Sequence, residues 1–291
     1  MFEKVLLPTD FSADSQKVLA YVQDLPGTRE ALLLHVIDAA RPSRQGPDHD
    51  REIESVRILM EKTRQDLEKN GVKAEIAIET IANPLMQGDI PLTILEKAEE
   101  EKVSLIMMGA RGKNTIQNIL LGSVSANVIR RAKIPVLLMR FPPELSTPGP
   151  HRNLFSRVLV PVDFSSPSAS MVSLIKGITT TGQVILLHVV DKGESEMEIK
   201  EAVRNAWERL GAVAADLAAA GIAAESRVRV GYAPDEINAT AEKDEVTLIL
   251  MSPVGEGWTR ELRALFLGST TNAVMRRAHR PVLIAAGHTG T

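Results

Sequence analysis

Glycines and serines cluster where a short apolar run gives way to a helical pattern. Gly109 and Gly112 follow the apolar run. Gly122, separated from Gly112 by nine residues, opens the helical pattern with Ser123 and Ser125. Glycine lacks a Cβ, so backbone N–H groups can approach a phosphate closely. A helix N-terminus favours an anion, and serine hydroxyls add donors. The chemistry that this spacing indicates is the binding of a phosphorylated ligand.

Charged residues accompany the glycines and also end the first apolar run. Arg111 and Lys113 lie inside the glycine segment, where they could attract phosphate or simply face water. Asp10 follows Pro8 and could either accept hydroxyl groups of a ligand or bond the backbone of its own turn. These alternatives remain open at the level of the sequence.

The histidines in the sequence do not indicate a second functional site. His35 and His188 each lie inside an apolar run, which is more typical of a hydrogen-bonded core histidine than of a catalytic pair. Neither a phosphate-loop motif with its lysine nor a Gly-x-Ser-x-Gly elbow is present. No catalytic residue and no metal-ligand cluster is predicted, and any hydrolysis of a bound nucleotide is expected to be slow.

The composition is that of an ordinary globular protein. The 291 residues are 44% hydrophobic and 3% aromatic, and their formal net charge is −3. This charge indicates no broad attraction to nucleic acid or membranes, and so few aromatics disfavour base-stacking platforms. Cysteine is absent, which excludes disulfides and cysteine nucleophiles. The first residues do not resemble a signal peptide, so a cytoplasmic protein is predicted.

The chain contains two copies of one pattern. Residues 5–12, VLLPTDFS, match residues 158–165, VLVPVDFS, and further matches continue in the same order along both halves. The sequence therefore predicts a first domain at 1–141, a proline-rich linker at 142–153 and a second domain at 154–291.

Short apolar strands alternate with helical patterns in each copy. This alternation predicts an α/β fold, with two tandem doubly wound domains whose parallel sheets carry helices on both faces. If the strands that end at Asp10 and Gly109 are neighbours, both ends line one crevice. The polar stretch 41–50 predicts a loop, and a helix is expected from about Arg51 to Lys69.

The ordered motifs resemble those of a known family. The segment PTDFS at 8–12, the Leu-His-Val of the second strand and the glycine spacing after Gly109 are similar to the universal stress protein family, in its tandem two-domain form with the ATP-binding motif. The resemblance implies five-stranded sheets of order 3-2-1-4-5. It also implies pairing of the two domains through strand five as an internal pseudo-dimer, with a further homodimer possible.

The same resemblance implies an adenine nucleotide, ATP or AMP, with Mg²⁺ near its phosphates. In the first copy Asp10 would face the ribose, Val36 would help to hold the adenine and Ser123 would contact phosphate. The implied nucleotide-binding residues are Pro8, Thr9, Asp10, Val36, Met108, Gly109, Arg111, Gly112, Gly122, Ser123, Val124 and Ser125.

The second copy departs from this pattern. Ser252 stands where the first glycine should be, and Gly255 is separated from Gly268 by twelve residues instead of nine. The phosphate loop is therefore altered, although the adenosine end could survive. The candidate residues of this copy are Pro161, Val162, Asp163, Val189, Met251, Ser252, Gly255, Gly268, Ser269, Thr270 and Thr271.

Three functions are compatible with these observations. The favoured one is a nucleotide-binding stress-response or regulatory module without dedicated catalysis. The others are a slow ATPase or nucleotide hydrolase, and a structural pairing module whose nucleotide sites are vestigial.

Overall fold

A computed structural model describes most of the chain. The described residues are 1–38, 47–81, 89–112, 121–141, 153–178, 181–191, 193, 195–255 and 267–285. They separate into two compact units, Met1–Met139 and Arg140–Thr291, here called the first and second units.

The first unit alternates strands with helices. Its elements are β1 (Lys4–Pro8), α1 (Ala13–Leu19), a 3-10 turn (Val22–Asp24), β2 (Glu30–Asp38), α2 (Pro47–Lys69), β3 (Lys73–Ile81), α3 (Ile90–Glu100), β4 (Leu105–Gly109), α4 (Ser123–Arg131) and β5 (Val136–Met139). The strands are parallel and lie in the order β3-β2-β1-β4-β5.

The central strands of this sheet are almost wholly apolar because helices cover both faces. Val5, Leu6, Leu105 and Ile106 are fully buried where β1 pairs with β4. Burial of a side chain of this size contributes about 1.5–3 kcal/mol. These buried side chains help to hold β1 and β4 side by side, so that the carboxyl ends of both strands lie at one edge.

The second unit repeats the same alternation. Its elements are β6 (Arg157–Pro161), α5 (Ser166–Lys176), β7 (Gln183–Val190), α6 (Glu196–Ala219), β8 (Ala223–Val230), α7 (Ala233–Lys243), β9 (Leu248–Met251), α8 (Ser269–Arg277) and β10 (Val282–Ile284). Its parallel strands lie in the order β8-β7-β6-β9-β10, which is 3-2-1-4-5 within the unit. The predicted fold class is therefore confirmed.

One predicted boundary is wrong. The expected loop at 41–50 ends earlier, because α2 begins at Pro47 rather than near Arg51. Proline is well suited to the first turn of a helix, since it lacks the N–H that would stay unbonded there. Residues 41–46 of that loop lie outside the described residues, as does nearly all of the predicted linker 142–153.

In the part of the chain described, no helix is long and apolar enough to cross a membrane.

Candidate functional site

The loops that follow β1 and β4 leave the same edge of the first sheet. β1 and β4 are parallel neighbours, with Leu6 opposite Ile106. The carboxyl ends of parallel neighbours meet at one edge, which is where open α/β sheets bind ligands. Asp10 and Gly109 are thereby placed at one crevice, as the order of the strands requires.

Asp10 lies in a tight turn between β1 and α1. The Ser12 backbone N–H donates to Asp10 Oδ1 at 3.0 Å, and Phe11 between them has a left-handed φ of 58°. The Ser12 hydroxyl then caps α1 by accepting from the Ser15 N–H at 3.2 Å. One carboxylate oxygen of Asp10 therefore bonds the backbone of its own turn.

Gly112 passes directly over that carboxylate. A Cβ added to Gly112 would lie 2.6 Å from Asp10 Oδ2, closer than real Cβ atoms come to another heavy atom. A side chain at residue 112 would therefore fit only if the carboxylate or the loop shifted. The sequence indicated both residues as candidates, and the structure brings them into contact.

Gly122 is the N-cap residue, directly before α4, and no side chain caps the helix there. Its N–H donates to the Ala110 carbonyl at 2.8 Å, and its backbone is extended at φ −70° and ψ 155°. Ser123 follows at the exposed first position of the helix. The N-terminus of α4 thus presents backbone N–H groups and one exposed hydroxyl beside the glycine loop.

Ser125 has a different role from Ser123. Its buried hydroxyl donates to the Gly109 carbonyl at 2.9 Å, which ties α4 to the end of β4. This hydroxyl is therefore engaged within the protein, and the Ser125 backbone N–H is the group that faces the helix end.

The end of β2 completes the crevice on the other side of β1. His35 Nδ1 lies 2.7 Å from the Thr9 carbonyl, and its ring packs on Phe11 with centroids 4.8 Å apart. A carbonyl only accepts, so Nδ1 carries the proton. The bond to Thr9 and the packing on Phe11 give this histidine a structural role.

Among the other candidate residues of the first unit, Met108 is buried, whereas Pro8 and Arg111 are half-buried. Lys113 lies outside the described residues.

The second unit contains the same turn and the same close approach. Ser165 donates to Asp163 Oδ1 from its N–H at 3.0 Å and from its hydroxyl at 2.5 Å, and Phe164 has φ 62°. A Cβ on Gly255 would lie 2.6 Å from Asp163 Oδ2. Burial raises the pKa of the Asp163 carboxyl, but the hydrogen bonds from Ser165 outweigh it and hold the pKa below its ordinary value.

The loop after β9 differs from its counterpart after β4. Ser252 replaces the first glycine, and its hydroxyl donates to the Val254 carbonyl at 2.8 Å. Gly268 still begins α8 and donates to the Pro253 carbonyl at 2.8 Å. Thr271 donates to the Ser252 carbonyl at 3.0 Å, as Ser125 does in the first unit. The frame of the site is thus repeated, whereas the loop inside it has changed.

Comparison with known proteins identifies the family. The universal stress protein family matches residues 1–140 and 154–286, so the chain belongs to the universal stress protein family. Universal stress protein MJ0577 of Methanocaldococcus jannaschii is 30% identical over 162 residues, which cover 48% of this chain and 96% of that protein.

Solved structures resemble both units together. The crystal structure of a universal stress protein from Archaeoglobus fulgidus aligns with a TM-score of 0.72 at 28% identity and covers 99% of each chain. A functionally unknown protein, PA1789 of Pseudomonas aeruginosa, aligns with a TM-score of 0.64 over 98% of this chain and 92% of its own. At 16% identity this second likeness concerns the fold alone.

Proposed function

We propose that the first unit binds an adenine nucleotide, ATP or AMP, and that the protein acts as a regulatory module of the stress response. The observation that carries the proposal is the approach of Gly112 to Asp10 Oδ2, which is so close that a Cβ at residue 112 would force the carboxylate or the loop to shift. This approach places the backbone of Gly112 next to the Asp10 carboxylate, which can accept hydrogen bonds from ribose hydroxyls. A phosphate group bound beside it would meet the open N-terminus of α4.

The phosphate end of the proposed site consists mainly of backbone groups. Gly122, as the cap residue, brings no side chain to the N-terminus of α4, so the first N–H groups of this helix can bind an anion. Ser123 adds an exposed hydroxyl, and Arg111 lies half-buried in the adjacent loop. These groups fit one phosphate or several, and Mg²⁺ would accompany a polyphosphate.

The base end is assigned to Val36 of β2. Thr9 donates its N–H to the Leu34 carbonyl, so Leu34 bonds the β1 side of β2. Alternate residues of a parallel strand bond the same neighbour, hence Val36 also directs its N–H and C=O to that side. The β1–β2 pairing ends at Pro8 and Leu34. Val36 would therefore offer one donor and one acceptor to the edge of an adenine ring.

The second unit is proposed to bind more weakly. Asp163 and Gly255 repeat the ribose end, but Ser252 and the longer interval before Gly268 change the phosphate loop. The cytoplasmic location, the internal pseudo-dimer through strand five and the homodimer stay predictions.

The test is to denature the purified protein and measure the adenine nucleotide released per chain by ion-exchange chromatography. About one equivalent is expected, and its elution position distinguishes ATP, ADP and AMP. A protein that is isolated empty is titrated with ATP and AMP. Asp10→Ala is expected to weaken binding, whereas Asp163→Ala should leave the first site unchanged. Failure to bind either nucleotide would overturn the proposal and favour the structural pairing module.

Hydrolysis is measured in the same preparation. Phosphate release above a protein-free control that disappears in Ser123→Ala would indicate the slow hydrolase instead.

A further inference from the structure

A cleft of about 340 Å³ lies between α1 and α2 in the first unit. Its lining mixes apolar and charged residues and includes Phe11, which follows Asp10 in the chain. The residues that line it are Phe11, Gln16, Leu19, Ala20, Leu59, Lys62, Thr63, Asp66, Leu67 and Asn70.

The residues of the second unit that correspond to the cleft can be identified by aligning its helices with those of the first unit. Helices α2 and α6 align without ambiguity, because Gly71 and Gly221 both follow the helix with left-handed φ, 83° and 79°. Counting back from these glycines pairs the buried Leu67 with the buried Leu217. The same alignment places Arg209 of α6 at the position that a leucine, Leu59, holds in α2.

Arg209 fills its position by covering an aromatic ring. Its Cζ lies 3.8 Å from the centroid of the Phe164 ring, a cation–π contact. Phe164 is the counterpart of Phe11, and both have left-handed φ. In the first unit the corresponding side chain is Leu59, 45% exposed, which brings no cation to the Phe11 ring.

A second cation of the second unit is also missing from the first. Lys176 of α5 bonds Asp216 of α6 at 2.5 Å. The counterpart of Asp216 is Asp66 in the cleft, but Gln23 stands at the sequence position of Lys176. Asp66 instead pairs with Lys69 on its own helix at 3.1 Å, with both side chains more than half exposed. An exposed pair of this kind contributes little and exchanges readily.

We infer that the cleft binds the guanidinium of a small ligand over Phe11, in the position that Arg209 takes over Phe164. Asp66 is the carboxylate that accompanies this cation. Lys62 also lines the cleft, and its ammonium would oppose a ligand that carries positive charge alone. The ligand that fits both charges has a guanidinium and a carboxylate, which is the chemistry of free arginine.

The experiment titrates the full-length protein with L-arginine and observes phenylalanine rings by NMR after ¹³C labelling. Phe11 and Phe164 are assigned from Phe→Leu variants. The Phe11 signals are expected to shift and saturate, whereas the Phe164 signals should not move because Arg209 already covers that ring. Absence of any saturable shift at Phe11 would overturn the inference.

Two reciprocal substitutions make the test specific. Leu59→Arg supplies the guanidinium from the chain itself and should weaken arginine binding at least tenfold, whereas Arg209→Leu changes only the second unit and should leave arginine binding at Phe11 unchanged. Both positions are exposed, so the fold should be preserved, which circular dichroism verifies. Arginine binding unchanged in Leu59→Arg would refute the assignment.

Agmatine tests the carboxylate, because it has the guanidinium of arginine without its acid. It should bind more weakly than arginine, and Lys62→Met should abolish the difference. Equal affinities in the unaltered protein would overturn the assignment of arginine as the ligand. All of these outcomes are independent of nucleotide binding.

Discussion

Gly112→Ala is the substitution that most directly tests the proposed nucleotide site. The added Cβ would lie 2.6 Å from Asp10 Oδ2, whereas real Cβ atoms essentially never come within 3.0 Å of another heavy atom. The two groups must therefore separate by at least about 0.4 Å. Since Oδ1 is held by the Ser12 N–H, relief of the clash means either breaking that bond or moving the loop.

The expected loss follows from the contact that Asp10 can no longer make. A hydrogen bond to a charged group contributes about 1.5–3 kcal/mol, so displacing the carboxylate from the ribose should weaken nucleotide binding on the order of 10- to 100-fold. Asp10→Ala should cost a similar amount. Because the two changes remove the same contact, Gly112→Ala in the Asp10→Ala background should cost little more.

Isothermal titration with ATP and AMP measures these affinities in the single and double variants. Gly255→Ala is the matched control, because it creates the same 2.6 Å clash with Asp163 in the second unit. It should leave the affinity of the first site unchanged. An affinity within twofold of the unaltered protein for Gly112→Ala, or fully additive losses in the double variant, would refute the reasoning.

Three further predictions concern stability. Gly211→Ala in α6 should raise the free energy of unfolding by about 0.5–1 kcal/mol, because its Cβ meets nothing within 4 Å, and a lowered urea midpoint would contradict this. Ser125→Ala should lower it by about 1–3 kcal/mol by leaving the Gly109 carbonyl without its donor, whereas an unchanged melting temperature would show that another donor replaces it. The folded-state pKa of Asp163 is depressed, so its stabilisation is present above the ordinary aspartate pKa of about 3.9 and is lost as pH falls through the folded value. Asp163→Asn should therefore flatten the acid-side loss of stability, and identical pH profiles would contradict this.

The fold was predictable because its signals are periodic and repeated. Apolar strands alternate with helices twice, and short segments that match in both halves, in the same order, are enough to indicate the tandem arrangement. The start of α2 was not predictable in the same way. Pro47 is equally compatible with a loop and with the first turn of a helix, and only the packing of the following turns decides between them.

The sequence predicted candidate residues for the site, but not the contacts between them. Spacing indicated Gly112 and Asp10, but it did not show that the two residues approach each other. It also did not show the left-handed φ of Phe11 in the turn after Asp10, which is uncommon for a non-glycine residue. The hydroxyl of Ser125 was expected at a phosphate, yet it bonds the Gly109 carbonyl. Sequence alone does not show which way a hydroxyl turns when two acceptors are within reach.

The direction of β2 at Val36 has a consequence for ligand selectivity. In the proposed site the chain direction would fix the order in which the Val36 N–H and C=O meet the edge of a base, so an adenine would find matching partners, whereas a guanine would meet donor against donor. This discrimination would survive replacement of the Val36 side chain by that of any residue except proline, and alanine scanning would report the residue as unimportant. Replacing its amide with an ester by chemical synthesis removes the N–H while keeping the side chain, and would expose the contact.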